Sequence, residues 1–169
     1  MVMDLREIFA QTGGAMPVEC NVNLSDAEYN GTICMPNPVE VTGRVFNRAG
    51  VVNFEYTANF AFTAPCDRCA VEVSLDKSES FSHVVVTQLV NEEDFDGSEY
   101  IITPSMTLDV DSIVREDVLF SLPTKHLCDE DCKGICAGCG VNLNEQECKC
   151  EKEIDPRLAK LRGLLSDQR

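Results

Sequence analysis

The 169-residue chain contains no tryptophan, only two histidines, and 14 lysines and arginines against 29 acids. Each shortage excludes something. A net charge of −15 is wrong for a general nucleic-acid binder, which neutralises phosphates with clustered bases. No run of eighteen apolar residues occurs, so a helical membrane span is not expected. The opening residues, MVMDLREIFAQTGG, lack a basic-then-apolar layout. A secretory signal is therefore not expected, and the expected compartment is a reducing cytoplasm. No serine–histidine–acid arrangement, phosphate-cradling glycine loop or carboxylate dyad stands out. Internal repeats and low-complexity segments are also missing.

Cysteine is what the chain has in excess. Of ten, six lie in Cys128–Cys150, which reads CDEDCKGICAGCGVNLNEQECKC. In a reducing compartment such clusters bind metal more often than they form disulfides. Cys136-Ala-Gly-Cys139-Gly140 is a close pair followed by the glycine that a zinc-knuckle turn favours. Cys148-Lys-Cys150 is a second close pair, and the two can surround one tetrahedral zinc ion. The preferred ligand set is thus Cys136, Cys139, Cys148 and Cys150. Cys128 and Cys132 remain; they can join Cys66 and Cys69 in a second site or exchange into the first. Lys133, Lys149 and Lys152 offset the −2 charge of a tetrathiolate zinc site. Iron–sulfur ligation is the alternative for an all-thiolate set. Reduced buried thiols fit poorly, because Leu127–Glu151 has almost no apolar content to bury them in. Metal is expected to order this segment. A catalytic zinc keeps an open position, and nothing here suggests one.

Cys66-x-x-Cys69 falls between two strands. A thioredoxin-type dithiol needs a helix N-terminus to lower its thiol pKa, so redox catalysis is a minor alternative. The pair reads as half of a zinc site or as two thiols packed at a turn, and the residues do not decide between these. His126, two residues before Cys128, is a reserve ligand. His83 sits on a predicted strand, where packing is its default role. Cys20 and Cys34 are isolated and receive no role.

The patterning predicts an α+β fold. Its main part is a mostly antiparallel, barrel-like sheet from about Pro17 to Thr103, with one packing helix near Asp109–Leu122. A short helix is expected within Met1–Thr12. Strands are expected at Pro17–Leu24, Pro38–Phe46, Val51–Ala64, Ala70–Leu75, Ser80–Val90 and Tyr100–Thr103. Asn47-Arg48-Ala49-Gly50 reads as a hairpin loop, and Val52, Phe54, Tyr56, Ala58, Phe60 and Phe62 share one face. Residues 91–99 read as an acidic loop. A β-rich core domain over 1–122 is followed by a cysteine-rich zinc-binding segment over 123–169. That segment closes with a helix starting at Asp155-Pro156 and striped by Leu158, Leu161, Leu164 and Leu165. Charge is uneven: nine acids and one base, Arg115, lie between Val85 and Phe120. A basic partner can meet that acidic middle.

Several motifs together resemble the YceD family of bacteria and plastids. They are Cys66-Asp-Arg-Cys69 after a β-rich half, and Leu122-Pro123 after an acidic helix. They continue with Cys132-Lys-Gly-Ile-Cys136-x-x-Cys139-Gly-x-Asn-Leu-Asn144, Cys148-x-Cys150 and Asp155-Pro-Arg157. The resemblance implies a role in large-subunit ribosome biogenesis, supporting accumulation or processing of large-subunit rRNA. It implies a non-enzymatic factor whose partner is precursor large-subunit rRNA or a basic large-subunit ribosomal protein. Arg44, Arg48 and Arg68 are the candidate RNA contacts, because they lie in or at the ends of the charge-neutral hairpin. A protein-only adaptor and a thiol oxidoreductase using Cys66 and Cys69 are the alternatives.

Overall fold

A computed structural model describes residues 1–29, 31–88 and 100–150. The expected acidic loop at 91–99 and the closing helix at 155–165 lie outside these. The chain divides into two compact units. The described residues of Met1–Ala64 and Glu72–His126 form the first; Pro65–Val71 and residues 127–150 form the second. No helix among the described residues is long and apolar enough to cross a membrane.

The first unit is mostly β with two helices. In chain order its elements are β1 (Val2–Asp4), α1 (Arg6–Ala10), β2 (Ala15–Val22), β3 (Glu28–Tyr29) and β4 (Thr32–Ile33). Then come β5 (Val39–Arg48), β6 (Val51–Pro65), β7 (Glu72–Val86), β8 (Tyr100–Ile102), β9 (Thr107–Asp109) and α2 (Val110–Ser121). The main sheet has the order β2-β5-β6-β7-β8, and β1-β9 and β3-β4 form two small ribbons. Strands β2, β5 and β6 are antiparallel neighbours, and β8 runs parallel to β7. Among the described residues β2 and β8 are the two edges. The sheet is open, and the expected barrel-like closure is not formed.

Strand β6 explains the core. Its inward residues Val52, Phe54, Tyr56, Ala58, Phe60, Phe62 and Ala64 are all buried. This is the period-2 alternation of a strand with one face in a core. Val39, Val41 and Val45 of β5 and Val18 and Val22 of β2 extend that face. Val110, Val114 and Val118, spaced by four on α2, close over it. The β5–β6 hairpin turns on two residues, Ala49 and Gly50, at φ 54° and 87°. Both are left-handed, as a turn matching strand twist requires. Asn47 braces it, its Oδ1 accepting from Gly50 N at 3.0 Å while its Nδ2 donates to Ile8 O at 2.8 Å.

Two expectations change. The N-terminal helix is shortened, because Val2–Asp4 pair with Thr107–Asp109 and Leu5 N donates to Met106 O at 2.8 Å. The two strands expected between Ala70 and Val90 are one, β7. All of its first ten residues are exposed or half-buried, so the polar stretch Asp76–Glu79 carries no buried face and reads as a break.

Gly43 fixes the β5–β6 register. It faces Tyr56, and a Cβ there would stand 2.3 Å from Glu55 O and 2.4 Å from Tyr56 Cβ. Gly43→Ala is expected to destabilise the first unit by about 1–3 kcal/mol, as overpacking does. The readout is the urea midpoint; a variant as stable as the wild type would contradict this register.

Candidate metal centres

The second unit is built on two turns of the same form. In the first, between β6 and β7, Cys66 N donates to Val71 O and Ala70 N to Cys66 O, at 2.8 and 2.9 Å. Arg68 N points at Cys66 Sγ at 3.5 Å. In the second, Cys136 N donates to Val141 O and Gly140 N to Cys136 O, both at 2.8 Å. Gly138 N points at Cys136 Sγ at 3.4 Å. Each turn brings its two cysteines to one side and aims an N–H at the leading sulfur. The residue after the second cysteine is left-handed in both, Ala70 at φ 59° and Gly140 at φ 74°. Glycine adopts that conformation freely, whereas alanine carries about 1 kcal/mol of strain. Alanine in the first turn is what hid its kinship with the second.

Each turn receives two further cysteines. Cys66, Cys69, Cys128 and Cys132 form one group, and Cys136, Cys139, Cys148 and Cys150 form the other. Within each group the sulfurs all lie within 4.8 Å of one another. Individual separations are 3.8 Å for Cys66–Cys132, 3.5 Å for Cys69–Cys128, 3.6 Å for Cys139–Cys148 and 3.1 Å for Cys136–Cys148. Four sulfurs about 2.3 Å from a central ion stand about 3.8 Å apart at tetrahedral angles. Either group can hold a metal ion. The first is the drier, with Cys66, Cys69 and Cys132 buried. In the second, Cys139 and Cys150 are exposed.

Crowded thiols titrate unequally. In the first group, burial pushes Cys66 up, but backbone N–H donors from Cys128, Arg68 and Cys69 outweigh it and bring the thiol to about 6. Cys128 is pushed up to about 12, chiefly by its thiol contact with Cys69 and then Cys132. In the second group, the N–H of Cys139 and the Cys148 thiol bring Cys136 down to about 6. Contact with Cys148 and Cys139 pushes Cys150 up to about 12. Without a cation, neighbouring thiolates cannot all ionise; a divalent ion at the centre reverses that.

The chain between the two groups is held by polar contacts rather than a core. Asn144 Nδ2 donates to Cys132 Sγ at 3.3 Å, and its Oδ1 accepts from Lys133 N at 2.8 Å. Arg68 Nη1 donates to Cys132 O at 2.7 Å and Glu130 O at 3.2 Å. Ile135 N donates to Arg68 O at 3.0 Å. Gly134 leaves room for that contact, since a Cβ there would stand 2.9 Å from Arg68 O. The sequence carried no local signal for Asn144 or for this role of Arg68. Arg68 joins segments more than sixty residues apart, and Asn144 reaches back across a loop of about a dozen.

The remaining predicted residues lie elsewhere. Arg44 and Arg48 are exposed on one face of β5 in the first unit. Arg44 Nη2 stands 3.3 Å from Glu55 Oε2, and its guanidinium lies 4.7 Å over the Phe46 ring. His126, the reserve ligand, is buried edge-on against Phe62 at 5.0 Å and joins neither cysteine group. Cys34 is buried and Cys20 half-buried, each outside both groups.

Residues 54–165 match the family described as large ribosomal RNA subunit accumulation protein YceD. The chain is 29% identical over 142 residues to YlbN, an uncharacterised protein of Bacillus subtilis, covering 82% of this chain and 80% of that one. It is 22% identical over 143 residues to a chloroplast protein of Arabidopsis thaliana, large ribosomal RNA subunit accumulation protein YCED homolog 1. That match covers 69% of this chain but 44% of the relative. An uncharacterised protein of Mycobacterium leprae is 27% identical over 135 residues, covering 76% of this chain and 60% of its own. The chain therefore spans less than two thirds of the latter two relatives. No solved structure matches. The matched residues make up well over half of the sequence and contain both cysteine groups, and the chain belongs to the YceD family.

Proposed function

We propose that this protein is a non-enzymatic factor in large ribosomal subunit biogenesis that supports accumulation or processing of large-subunit rRNA, with two structural zinc ions. The observation that carries the reading is the family match, which spans both cysteine groups. Zinc is favoured by the sulfur geometry. Separations of 3.1–3.8 Å, with none above 4.8 Å, suit one ion per group, whereas a multi-iron cluster interposes several atoms between its thiolates. The role is structural, because four thiolates leave no open position for a substrate. Zinc supplies the ordering that this polar segment cannot draw from burial.

The partner is precursor large-subunit rRNA or a basic large-subunit ribosomal protein, met in the cytoplasm. Arg44 and Arg48 are the RNA contacts best placed to act, since both are exposed on one strand face. Arg68 is occupied within the second unit by Glu130 and Cys132, so its replacement would disturb that unit as well as any RNA contact. A protein-only adaptor is supported by the acidic middle of the chain. Thiol oxidoreduction has less support, as no helix follows Cys69 to activate a thiol.

The test is depletion in the source cells. The ratio of large- to small-subunit rRNA is expected to fall, and the wild-type protein to restore it. Arg44→Glu with Arg48→Glu should restore it poorly. An unchanged ratio on depletion would remove the proposal.

A further inference from the structure

The first unit contains a cleft that no cysteine lines. Its volume is about 460 Å³, and His83, Tyr100, Ile113, Glu116, Asp117 and Phe120 are among its walls. Ile113, Glu116, Asp117 and Phe120 recur three and four apart on α2, which puts them on one helix face. That face is unusual. Phe120 is 88% exposed and Tyr100 37%. A large ring so bare on a helix marks a contact surface when polar groups surround it.

The floor of the cleft is fixed. Asp117 Oδ2 accepts the hydroxyl of Tyr56 and stands 2.6 Å from His83 Nε2. Tyr56 and His83 are both buried. Burial and then the Asp117 carboxylate push the Tyr56 phenol up, so it stays a donor and orients the acid. Glu116 beside it is exposed and makes no hydrogen bond or ion pair among the described residues. Among the described residues no lysine or arginine lines the cleft, where His83 is held on Asp117, and α2 has no base in its last turn. The negative end of the helix thus has no cation of its own last turn to compensate it. Arg115, the one base of α2, is turned to Asp26, with both guanidinium contacts at 2.9 Å.

Exposed aromatic rings, a carboxylate unengaged among the described residues and a helix end with no base in its own last turn favour one kind of group: a cation on an apolar stem. We infer that this cleft binds a basic polypeptide segment, taking an arginine or lysine side chain against Phe120 and Tyr100 with its charged end at Glu116. The rings supply cation–π attraction and apolar cover, and the carboxylate supplies the ion pair. Rings alone would also stack nucleobases, but Glu116 and Asp117 repel the phosphates that accompany them. The inference deepens the protein-partner part of the proposed function and rests on it for the partner's setting alone.

The test uses the full chain and a short fluorescein-labelled peptide of alternating arginine and glycine, with anisotropy read at physiological ionic strength. Phe120→Ala and Glu116→Gln are each expected to weaken binding by about three- to fivefold. Glu40→Gln, an exposed acid on β5, removes the same charge elsewhere and should stay within about twofold. If Phe120→Ala binds like the wild type, or Glu40→Gln is as damaging as Glu116→Gln, the attraction is diffuse charge and the cleft is not a site. If Phe120→Ala instead abolishes binding to large-subunit precursor RNA and spares the peptide, the occupant is RNA and the inference fails. Depletion that leaves rRNA unchanged while the peptide result holds would remove the biogenesis setting and leave the cleft standing.

Discussion

Protein expressed with zinc and purified under reducing conditions is expected to carry two zinc ions per chain, one for each cysteine group. Cys66→Ser and Cys139→Ser should each lower the count by one. Structural zinc contributes on the order of 10 kcal/mol to the segment it orders, and little else orders this one. The buried cluster in the second unit contains Cys66, Cys69 and Cys132, with Leu127 packed against it. Loss of the first ion should therefore open the chain after Leu127 to protease while the first unit stays folded. Metal content by mass spectrometry checks the count, and limited proteolysis checks the consequence. A wild-type count near zero would sink the zinc reading.

The pH dependence of that metal follows from the thiols. Without metal, Cys128 and Cys150 stand at about 12 and are protonated at neutral pH. Binding must displace those protons, so affinity falls as pH falls. Below about 6, Cys66 and Cys136 are protonated too, and the fall becomes steeper. Release of zinc to a chromogenic chelator, followed downward from neutral pH, should show that steepening. A pH-independent release would mean that the thiols are not the ligands.

Phe54→Ala is expected to cost about 3–5 kcal/mol, the usual price of removing a fully buried ring. Phe54 has no exposed surface and stacks on Tyr56 with centroids 4.7 Å apart and an interplanar angle of 22°. The surrounding strands cannot collapse into the gap, because Gly43 already brings β5 into contact with Tyr56. The thermal midpoint of the first unit should drop by about 10 °C or more. Phe120→Ala, on a ring 88% exposed, should leave that midpoint nearly unchanged. A small effect at Phe54 would mean that β6 does not face the core. A large one at Phe120 would mean that the ring is not a surface group.

The strands were legible where burial is one-sided. β6 alternates because one face is in the core, and six of its inward residues, Val52 to Phe62, show that without any structure. β7 reads as two strands in the sequence, because residues 72–82 have no buried face to reveal the period. The N-terminal ribbon was missed because its partner, Thr107–Asp109, lies more than a hundred residues away. Cys136-x-x-Cys139-Gly140 announced its turn, since glycine marks the left-handed residue. The matching turn at Cys66 put Ala70 there, and only its hydrogen bonds showed the equivalence. His83 read as a packing residue. Its pairing with Asp117, which also takes the Tyr56 hydroxyl, depends on a helix meeting a sheet.

By itself, the sequence determined the chemistry available to this protein: ten cysteines, eight of them in close pairs or short spacings, and too few bases for a general grip on nucleic acid. It also determined the strands that carry one apolar face, because those patterns are local. The tertiary structure decided which cysteines share a centre. Cys66 and Cys69 reach Cys128 and Cys132 across some sixty residues of chain, a distance over which spacing carries no information. It also decided that the sheet stays open and that Phe120 and Glu116 share a bare face of α2 with Tyr100 beside them. Those are facts about which surfaces meet, and packing alone settles them.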